Sequence, residues 1–284
     1  METIITIIIV LSLEYFYDDI NKYRKDIYFL NIFESINNKI DGDRFEQYKV
    51  YIFYSLSMLV SLMILLSFLD YISELLSFIV SLILLIFSLR TNQFNRSIEE
   101  LKIKIEFKNS QVDKELLYSI CPNLKQTRAK NNIHQLIIKN LFFNSVRNTF
   151  SIIFYFLLMG APGAIAYKLL DSIIYSGYFK VDATNKAKLK NYMYIIDYLP
   201  IRLTSYCFSI VSNYDEVIKK MNDVKLSSDP YTSNIEFINQ IGESVYDSHL
   251  GESDQIVQIQ NILSRTLIAW LSITLLMALA GVLI

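Results

Sequence analysis

The chain has 284 residues, of which 52% are hydrophobic, 19% charged and 14% aromatic, and its formal net charge is -1. This composition excludes an intrinsically disordered chain, because the apolar fraction is too high, and it argues against a nucleic-acid-binding domain, because there is no basic excess to neutralise phosphates. Two cysteines, Cys121 and Cys207, are too few for a disulfide-framed secreted domain. So much Ile, Leu and Phe with so few charges, at a mean hydropathy of +0.31, is typical of a membrane protein.

Long apolar stretches predict the membrane segments, because a helix needs about 20 apolar residues to cross the hydrocarbon core. The first stretch, 3–13, is short and lacks the basic start and cleavage site of a signal peptide, so we expect a retained short or partly inserted helix. Membrane segments are then predicted at about 51–69, 75–90, 148–168 and 266–284. Segment 195–214 is expected to be interfacial or partly inserted, because full insertion would carry charged residues into the membrane.

The polar stretches between these segments have helical spacing. Residues 14–48 predict one or two amphipathic helices, and residues 95–120 predict a helix with a solvated, charged face. Residues 121–124 predict a turn, and a helical pattern resumes at about Thr127 and continues toward the third long membrane segment. Thr232 or Ser233 with Glu236 predicts the N-cap of a helix that continues to about Tyr246. The sequence therefore predicts a single all-α domain over 1–284, a polytopic helical membrane protein with about four to five membrane helices plus amphipathic helices.

Basic residues predict the orientation. The turn Asp70–Glu74 has no Lys or Arg and is expected outside, whereas Arg90–Arg147 contains eleven basic residues and is expected in the cytoplasm. The side on which 171–264 lies depends on whether 203–214 crosses the membrane, and both topologies stay open. We expect a multi-pass membrane protein, in contact with the lipid bilayer.

Catalytic and metal chemistry has little support in the sequence. The two histidines, His134 and His249, are far apart and form no metal-binding motif, and neither cysteine has a basic neighbour that would activate it. No glycine-rich phosphate loop occurs. We therefore predict no metal, no cofactor and no catalytic residues.

Two motifs are candidate sites. Gly160-Ala161-Pro162-Gly163-Ala164 interrupts the third long membrane segment, either as a kink that allows close helix packing or as a cavity lined by freed backbone groups. Asp197, Pro200 and Arg202 lie at the mouth of an apolar stretch, where ionisable residues are costly unless paired or hydrated. They form either an Asp197–Arg202 pair, an Arg202 that extends to headgroups, or a binding site. Lys168 and Asp171 could complete the same polar layer.

These motifs resemble those of the CobD/CbiB membrane family, whose members use ATP to attach an aminopropanol arm to adenosylcobyric acid. The matching residues are Phe154, Gly160 to Ala164, Tyr167, Lys168, Pro200, Arg202, Leu203 and Thr204. The acidic run of that family is replaced here by the run 139–147, in which Lys139, Phe143 and Arg147 stand at the acidic positions and only Asn144 is kept. Since ATP chemistry needs carboxylates for magnesium or acid–base catalysis, the replacement argues against the ligase reaction.

The whole chain is more similar to the AmpE family, a divergent branch of the same superfamily. The similarity covers the short apolar N-terminus with its acidic–aromatic continuation, the stretch Asn144 to Phe154, the motif Asp197 to Leu203 and the bare C-terminal membrane helix. AmpE proteins are regarded as inner-membrane accessory or signalling components associated with β-lactamase induction and cell-wall recycling. The resemblance implies that role for this chain, and a multi-pass location in a bacterial inner (cytoplasmic) membrane.

The expected function is therefore non-catalytic binding of a small amphiphilic or anionic ligand, or of a partner protein. Arg202 and Lys168 would hold an anionic group, since arginine offers a fork of donors to phosphate or carboxylate, and aromatic residues would line the apolar part. A CobD/CbiB-like ligase and a structural subunit of a larger membrane complex or homo-oligomer are the alternatives. The candidate ligand-binding residues are Asn144, Arg147, Gly160, Pro162, Gly163, Tyr167, Lys168, Asp171, Asp197, Pro200 and Arg202.

Overall fold

The structure is a computed structural model that describes residues 2–17, 47–89, 91–106, 133–175, 181–224 and 227–281. Every regular element in these ranges is a helix, which confirms the all-α prediction. The described ranges contain ten α-helices: α1 (Glu2–Phe16), α2 (Gln47–Ile72), α3 (Glu74–Ser88), α4 (Thr91–Glu106), α5 (Ile133–Ser145), α6 (Ser151–Tyr175), α7 (Ala183–Val211), α8 (Tyr214–Asp223), α9 (Pro230–Glu243) and α10 (Glu252–Leu279). A π-helical turn, Val146–Phe150, joins α5 to α6.

Three helical runs among the described residues are long and apolar enough to cross a membrane: Tyr48–Ile72, Asn140–Tyr175 and Glu252–Leu279. They correspond to the predicted segments 51–69, 148–168 and 266–284, and they make this a membrane protein. In the most apolar window of the first run only 11% of residues are buried, compared with 72% in the second. Apolar surface as exposed as Phe53, Ile64 and Phe68 on α2 is stable only against lipid or another apolar partner.

The two shorter predicted membrane segments form helices of 15 residues each. Segment 75–90 is α3, and segment 3–13 lies in α1. A 15-residue helix is about 22 Å long, whereas the hydrocarbon core is about 30 Å thick. Whether α1 and α3 cross the membrane, and with them the total of four to five membrane helices, therefore stays a prediction.

The chain divides into two compact units. Unit 1 contains Met1–Asn92 and Ser151–Met193, and unit 2 contains Gln93–Phe150 and Tyr194–Ile284. In unit 1, α6 packs against α1, α2 and α3, and α3 also packs against α1 and α2. In unit 2, α5 packs against α9 and α10, and α8 packs against α9. A single domain over 1–284, in the sense of one AmpE-like membrane domain, stays a prediction.

The core of unit 2 is built around Phe142 on α5. Its ring lies 5.4 Å from the ring of Phe208 and 6.1 Å from that of Tyr246, measured between centroids. Gly242 on α9 faces the same ring, and a Cβ there would collide with it. Glycine at 242 is therefore what allows α9 to pack this closely on α5.

The polar helices agree with the sequence in part. The helix predicted over 95–120 is present as α4 up to Glu106, and its remainder lies outside the described residues, as do 18–46 and 121–124. The resumed helical pattern is confirmed from Ile133 onward. The prediction that Thr232 or Ser233 caps α9 is wrong. Asp229 is the N-cap, because its Oδ2 accepts from the Thr232 amide at 3.0 Å and Pro230 stands at the first helical position.

Candidate functional site

The glycine–proline motif of unit 1 bends α6. Gly160 has φ 67° and ψ -160°, a backbone region that is essentially restricted to glycine. Gly163 lies where α6 folds back on its own preceding turns, and a Cβ there would lie 2.5 Å from the carbonyl oxygen of Tyr155 and 2.7 Å from Cβ of Met159. Pro162 favours the bend, because it has no N–H and cannot form the helical hydrogen bond to the carbonyl of Leu158. The kink predicted at this motif is confirmed.

Three further candidate residues follow the bend on α6. Lys168 and Asp171 form a buried ion pair with Nζ and Oδ2 3.4 Å apart, and their exposed fractions are 7% and 3%. Tyr167 stacks on Tyr155 with centroids 5.4 Å apart. The charge of Lys168 is thus balanced within its own helix, because residues three apart lie on one helix face. A lysine that is already paired in this way binds an anionic ligand less strongly than the sequence suggested.

The candidates Asn144 and Arg147 meet in unit 2, at the π-helical turn. Arg147 donates from a guanidinium nitrogen to Oδ1 of Asn144 at 3.0 Å, and its guanidinium lies 5.8 Å from the centroid of the Phe143 ring. Arg147 and Phe143 are 3% and 1% exposed. Phe143 and Arg147, two of the three positions that the sequence comparison set against the acidic run, therefore form a buried cation–ring contact. The π-helical turn, a feature often found at functional sites, was not visible in the sequence.

Asp197, Pro200 and Arg202 all lie on α7, which continues through Pro200. Asp197 is buried, at 1% exposed, and the hydroxyl of Thr204 donates to the carbonyl of Pro200 at 2.7 Å. The Asp197–Arg202 pair considered from the sequence is not formed. Five positions along a helix turn the two side chains about 140° apart, so they leave α7 in different directions.

Arg202 instead lies against aromatic rings. Its guanidinium carbon is 3.3 Å from the centroid of Phe237 on α9 and 4.8 Å from that of Tyr198 on α7. Its Nη1 is buried and has no hydrogen-bond partner among the described residues. Leaving a buried donor unpaired costs about 1–3 kcal/mol, more for a charged group. An acceptor that reached this nitrogen would recover that free energy.

A second buried polar atom without a hydrogen-bond partner among the described residues lies on the face of α9 that carries Phe237. Asn234 is 1% exposed, and it donates from Nδ2 to the carbonyl of Tyr194 at 3.0 Å, while its Oδ1 has no hydrogen-bond partner in the described ranges. Asn234 precedes Phe237 by three residues, so the two side chains share one helix face. We name Arg202, Phe237, Tyr198 and Asn234 the Arg202 site. Sequence reasoning missed its α9 members, although their spacing of three was visible.

The candidate residues therefore fall into two groups. Unit 1 holds Gly160, Pro162, Gly163, Tyr167, Lys168 and Asp171, and unit 2 holds Asn144, Arg147, Asp197, Pro200 and Arg202. Within unit 1 the structure joins Lys168 to Asp171, and within unit 2 it joins Asn144 to Arg147.

The remaining reactive residues offer little chemistry where they are described. Burial raises the pKa of the Cys207 thiol to about 11, so the thiol stays protonated at neutral pH. Cys121 lies outside the described residues. No group of three His, Cys, Asp or Glu side chains in the described ranges could hold a metal ion.

Comparison of the chain with protein-family models, with curated proteins and with solved structures finds no match.

Proposed function

We propose that the chain is an inner-membrane accessory protein of the AmpE type, and that it binds, without catalysis, an anionic group of a small ligand or partner protein at the Arg202 site. The observation that carries the proposal is the buried Nη1 of Arg202, which has no acceptor within the described part of the chain while the guanidinium is held against Phe237. A planar guanidinium with free donors suits phosphate and carboxylate.

Asn234 narrows the chemical class of the ligand. Its unpaired Oδ1 is an acceptor, whereas Arg202 supplies donors. A group that satisfies both carries an anionic oxygen next to a hydroxyl or amide, as phosphate monoesters and peptidic acids do. The apolar residues Ile195 and Leu199, exposed to 68% and 50% on α7, suit the apolar part of an amphiphile.

A non-catalytic role is supported by the chemistry at the π-helical turn. Positions that are carboxylates in the CobD/CbiB family are occupied by Phe143 and Arg147, both buried and packed on each other. A buried guanidinium cannot serve as a magnesium ligand.

Thermal unfolding of the purified protein in detergent tests the site directly. Dodecyl phosphate is the probe, and dodecyl maltoside serves as the uncharged amphiphile. We expect dodecyl phosphate to raise the midpoint of the wild-type protein. Arg202→Gln should remove the increase, while Arg265→Gln, which deletes an exposed arginine of the same unit, should keep it. An increase that survives Arg202→Gln would contradict the proposal.

The cellular part of the proposal needs its own test. In a host whose AmpE-type gene is deleted, we expect the wild-type chain to alter β-lactamase induction, measured as hydrolysis of a chromogenic β-lactam, and Arg202→Gln to have no such effect at equal membrane abundance. Equal induction with and without the wild-type chain would reject the AmpE-type role while leaving the binding site standing.

A further inference from the structure

A cavity in unit 1 opens beside the bend of α6, and its residues do not overlap the Arg202 site. Its volume is about 350 Å³. We call it the bend cavity. Four helices of unit 1 line it: α1, α2, α3 and, around Gly160, α6. The polar lining residues are Glu2, Thr3, Thr6, Ser67, Ser77 and Ser81.

Serine hydroxyls distinguish this cavity from the rest of α2 and α3. Four serines of these helices that lie away from it, Ser55, Ser57, Ser61 and Ser88, donate to a carbonyl three or four residues earlier at 2.8–3.0 Å. In contrast, the hydroxyls of the three serines that line it, Ser67, Ser77 and Ser81, form no hydrogen bond within the described part of the chain. A hydroxyl in an apolar helix normally bonds to its own backbone. These three are instead available to a ligand.

The bend adds backbone groups of both kinds. Because Pro162 has no N–H, it leaves the carbonyl of Leu158 without its helical donor, and this carbonyl precedes the lining residues Met159–Pro162. The second half of α6 begins after Gly160, so its first amides point back toward the bend. Broken membrane helices commonly use such freed groups to bind polar ligands.

Charge selects among polar ligands. Glu2 contributes a carboxylate, and the described lining contains no Lys, Arg or His. The cavity therefore favours a ligand that brings its own cation. Hydroxyls and helix amides can donate to an anionic oxygen, while the carboxylate and a free carbonyl accept from an N–H group. The combination matches a zwitterionic headgroup with a phosphate and a primary ammonium.

The surroundings of the cavity suit acyl chains. Ile64 and Phe68 on α2 and Leu75 and Leu76 on α3 are exposed to 65%, 60%, 71% and 42%. Ile64 stands three residues before Ser67 and shares its face of α2, so apolar surface adjoins this hydroxyl. A lipid could then leave its headgroup among the hydroxyls and its chains along α2 and α3.

We propose that the bend cavity binds the headgroup of a phospholipid that carries a primary ammonium, of the phosphatidylethanolamine type. The proposal goes beyond the function proposed above, because it uses neither Arg202 nor any residue of unit 2.

Lipid retention by the full chain tests the proposal. The purified protein is incubated in detergent with equal amounts of phosphatidylethanolamine, phosphatidylcholine and phosphatidylglycerol, and the lipid that coelutes on size exclusion is quantified. Phosphatidylcholine has no N–H donor, and phosphatidylglycerol has no cation. We expect phosphatidylethanolamine to be retained at least about fivefold over both, since one hydrogen bond to a charged group is worth about tenfold in binding.

Two triple variants make the test specific. Ser67→Ala with Ser77→Ala and Ser81→Ala should reduce the retained phosphatidylethanolamine about tenfold, the value of one lost charge-assisted hydrogen bond or more. Ser55→Ala with Ser57→Ala and Ser61→Ala removes three back-bonded hydroxyls and should retain the lipid, as should Arg202→Gln. Circular dichroism verifies that each variant is folded. Equal retention of the three lipids, or equal loss in both triple variants, would overturn the proposal.

Discussion

Arg202 is half-buried and packs on aromatic rings, and it forms no ion pair with the described residues. Its guanidinium carbon lies 3.3 Å from the centroid of the Phe237 ring, and a cation–ring contact that excludes water is worth about 0.5–2 kcal/mol. Arginine suits this position better than lysine, since its planar group stacks and is weakly hydrated. Because the Phe237 ring holds the guanidinium in place, the unpaired donor Nη1 of Arg202 has a fixed position, which favours binding.

The contact between Arg202 and Phe237 predicts a measurable coupling. We expect Phe237→Leu, which keeps an apolar side chain but removes the ring, and Arg202→Gln to be non-additive in the free energy of unfolding, with a coupling of about 0.5–2 kcal/mol. Chemical unfolding in detergent of the two single variants and the double variant measures it. Additive effects would mean that the ring and the guanidinium do not interact.

Cys207 gives a second prediction at this scale. Because burial raises its pKa to about 11, alkylation at pH 8 should be slow in the folded protein and should accelerate as the pH approaches that value. The measurement uses a Cys121→Ser background, so that Cys207 is the single thiol, and unfolded protein is the control. Equal rates for the folded and unfolded protein at pH 8 would contradict the burial of this thiol.

At the scale of the element, the bend of α6 depends on glycine at two positions for two different reasons. Gly160 is required by its backbone angles alone, since a Cβ there would meet only Cδ of Pro162, at an ordinary contact distance of 3.7 Å. Gly163 is required by close approach, because a Cβ would meet backbone and side chain of α6 itself. A substitution at either site should therefore straighten or destabilise the helix that borders the bend cavity.

We expect Gly160→Ala to lower the free energy of unfolding by about 1–3 kcal/mol, the cost of holding a non-glycine residue in this backbone region. Gly251→Ala is the comparison, since Gly251 has φ -59° and a new Cβ would meet its nearest atom at 3.6 Å, so its cost is limited to the loss of a glycine N-cap on α10. Thermal and chemical unfolding compare the two. An equal, small effect of both substitutions would mean that α6 is not bent as described.

The N-terminus of α9 gives a further prediction for an element. Asp229 caps it, so Asp229→Ala should cost about 0.5–2 kcal/mol of stability. Ser233→Ala, at the position the sequence suggested as an alternative cap, should cost less, because the Ser233 hydroxyl only donates to the carbonyl of Pro230. Unfolding curves of the two variants decide which residue is the cap.

Much of the helical pattern could be predicted because membrane helices consist of long runs of apolar residues. The runs that became α2, α6 and α10 were visible as such, and the bend of α6 was visible as Gly160 and Pro162. The Arg202 site was only half visible. Its α7 members stand next to a recognisable motif, whereas Asn234 and Phe237 come from a separate helix, and only the tertiary packing of α9 on α7 brings them to the arginine. Likewise, the serines of the bend cavity look like ordinary membrane serines until their hydrogen bonds are examined.

At the scale of the whole molecule, the candidate residues are divided between two units. No local sequence pattern predicted this division. Helix α7 and the run from α5 to α6 each contribute residues to both units. Spacing along the chain had suggested a single polar layer with Lys168 and Arg202 on one ligand. The structure pairs Lys168 with Asp171 within unit 1, and Arg202 belongs to unit 2. The two proposals use different residues, so they can fail independently.

Both proposals depend on the chain crossing the membrane, and single-cysteine labelling in intact cells tests that most directly. In a chain without Cys121 and Cys207, one cysteine replaces Tyr71, which is 90% exposed in the last turn of α2, or Glu100, which is exposed on α4. A membrane-impermeant maleimide should label Tyr71→Cys from outside and Glu100→Cys only after the cells are opened, as the distribution of basic residues predicts. Equal protection of both positions in intact cells, with equal labelling afterwards, would contradict a membrane-crossing chain with this turn outside.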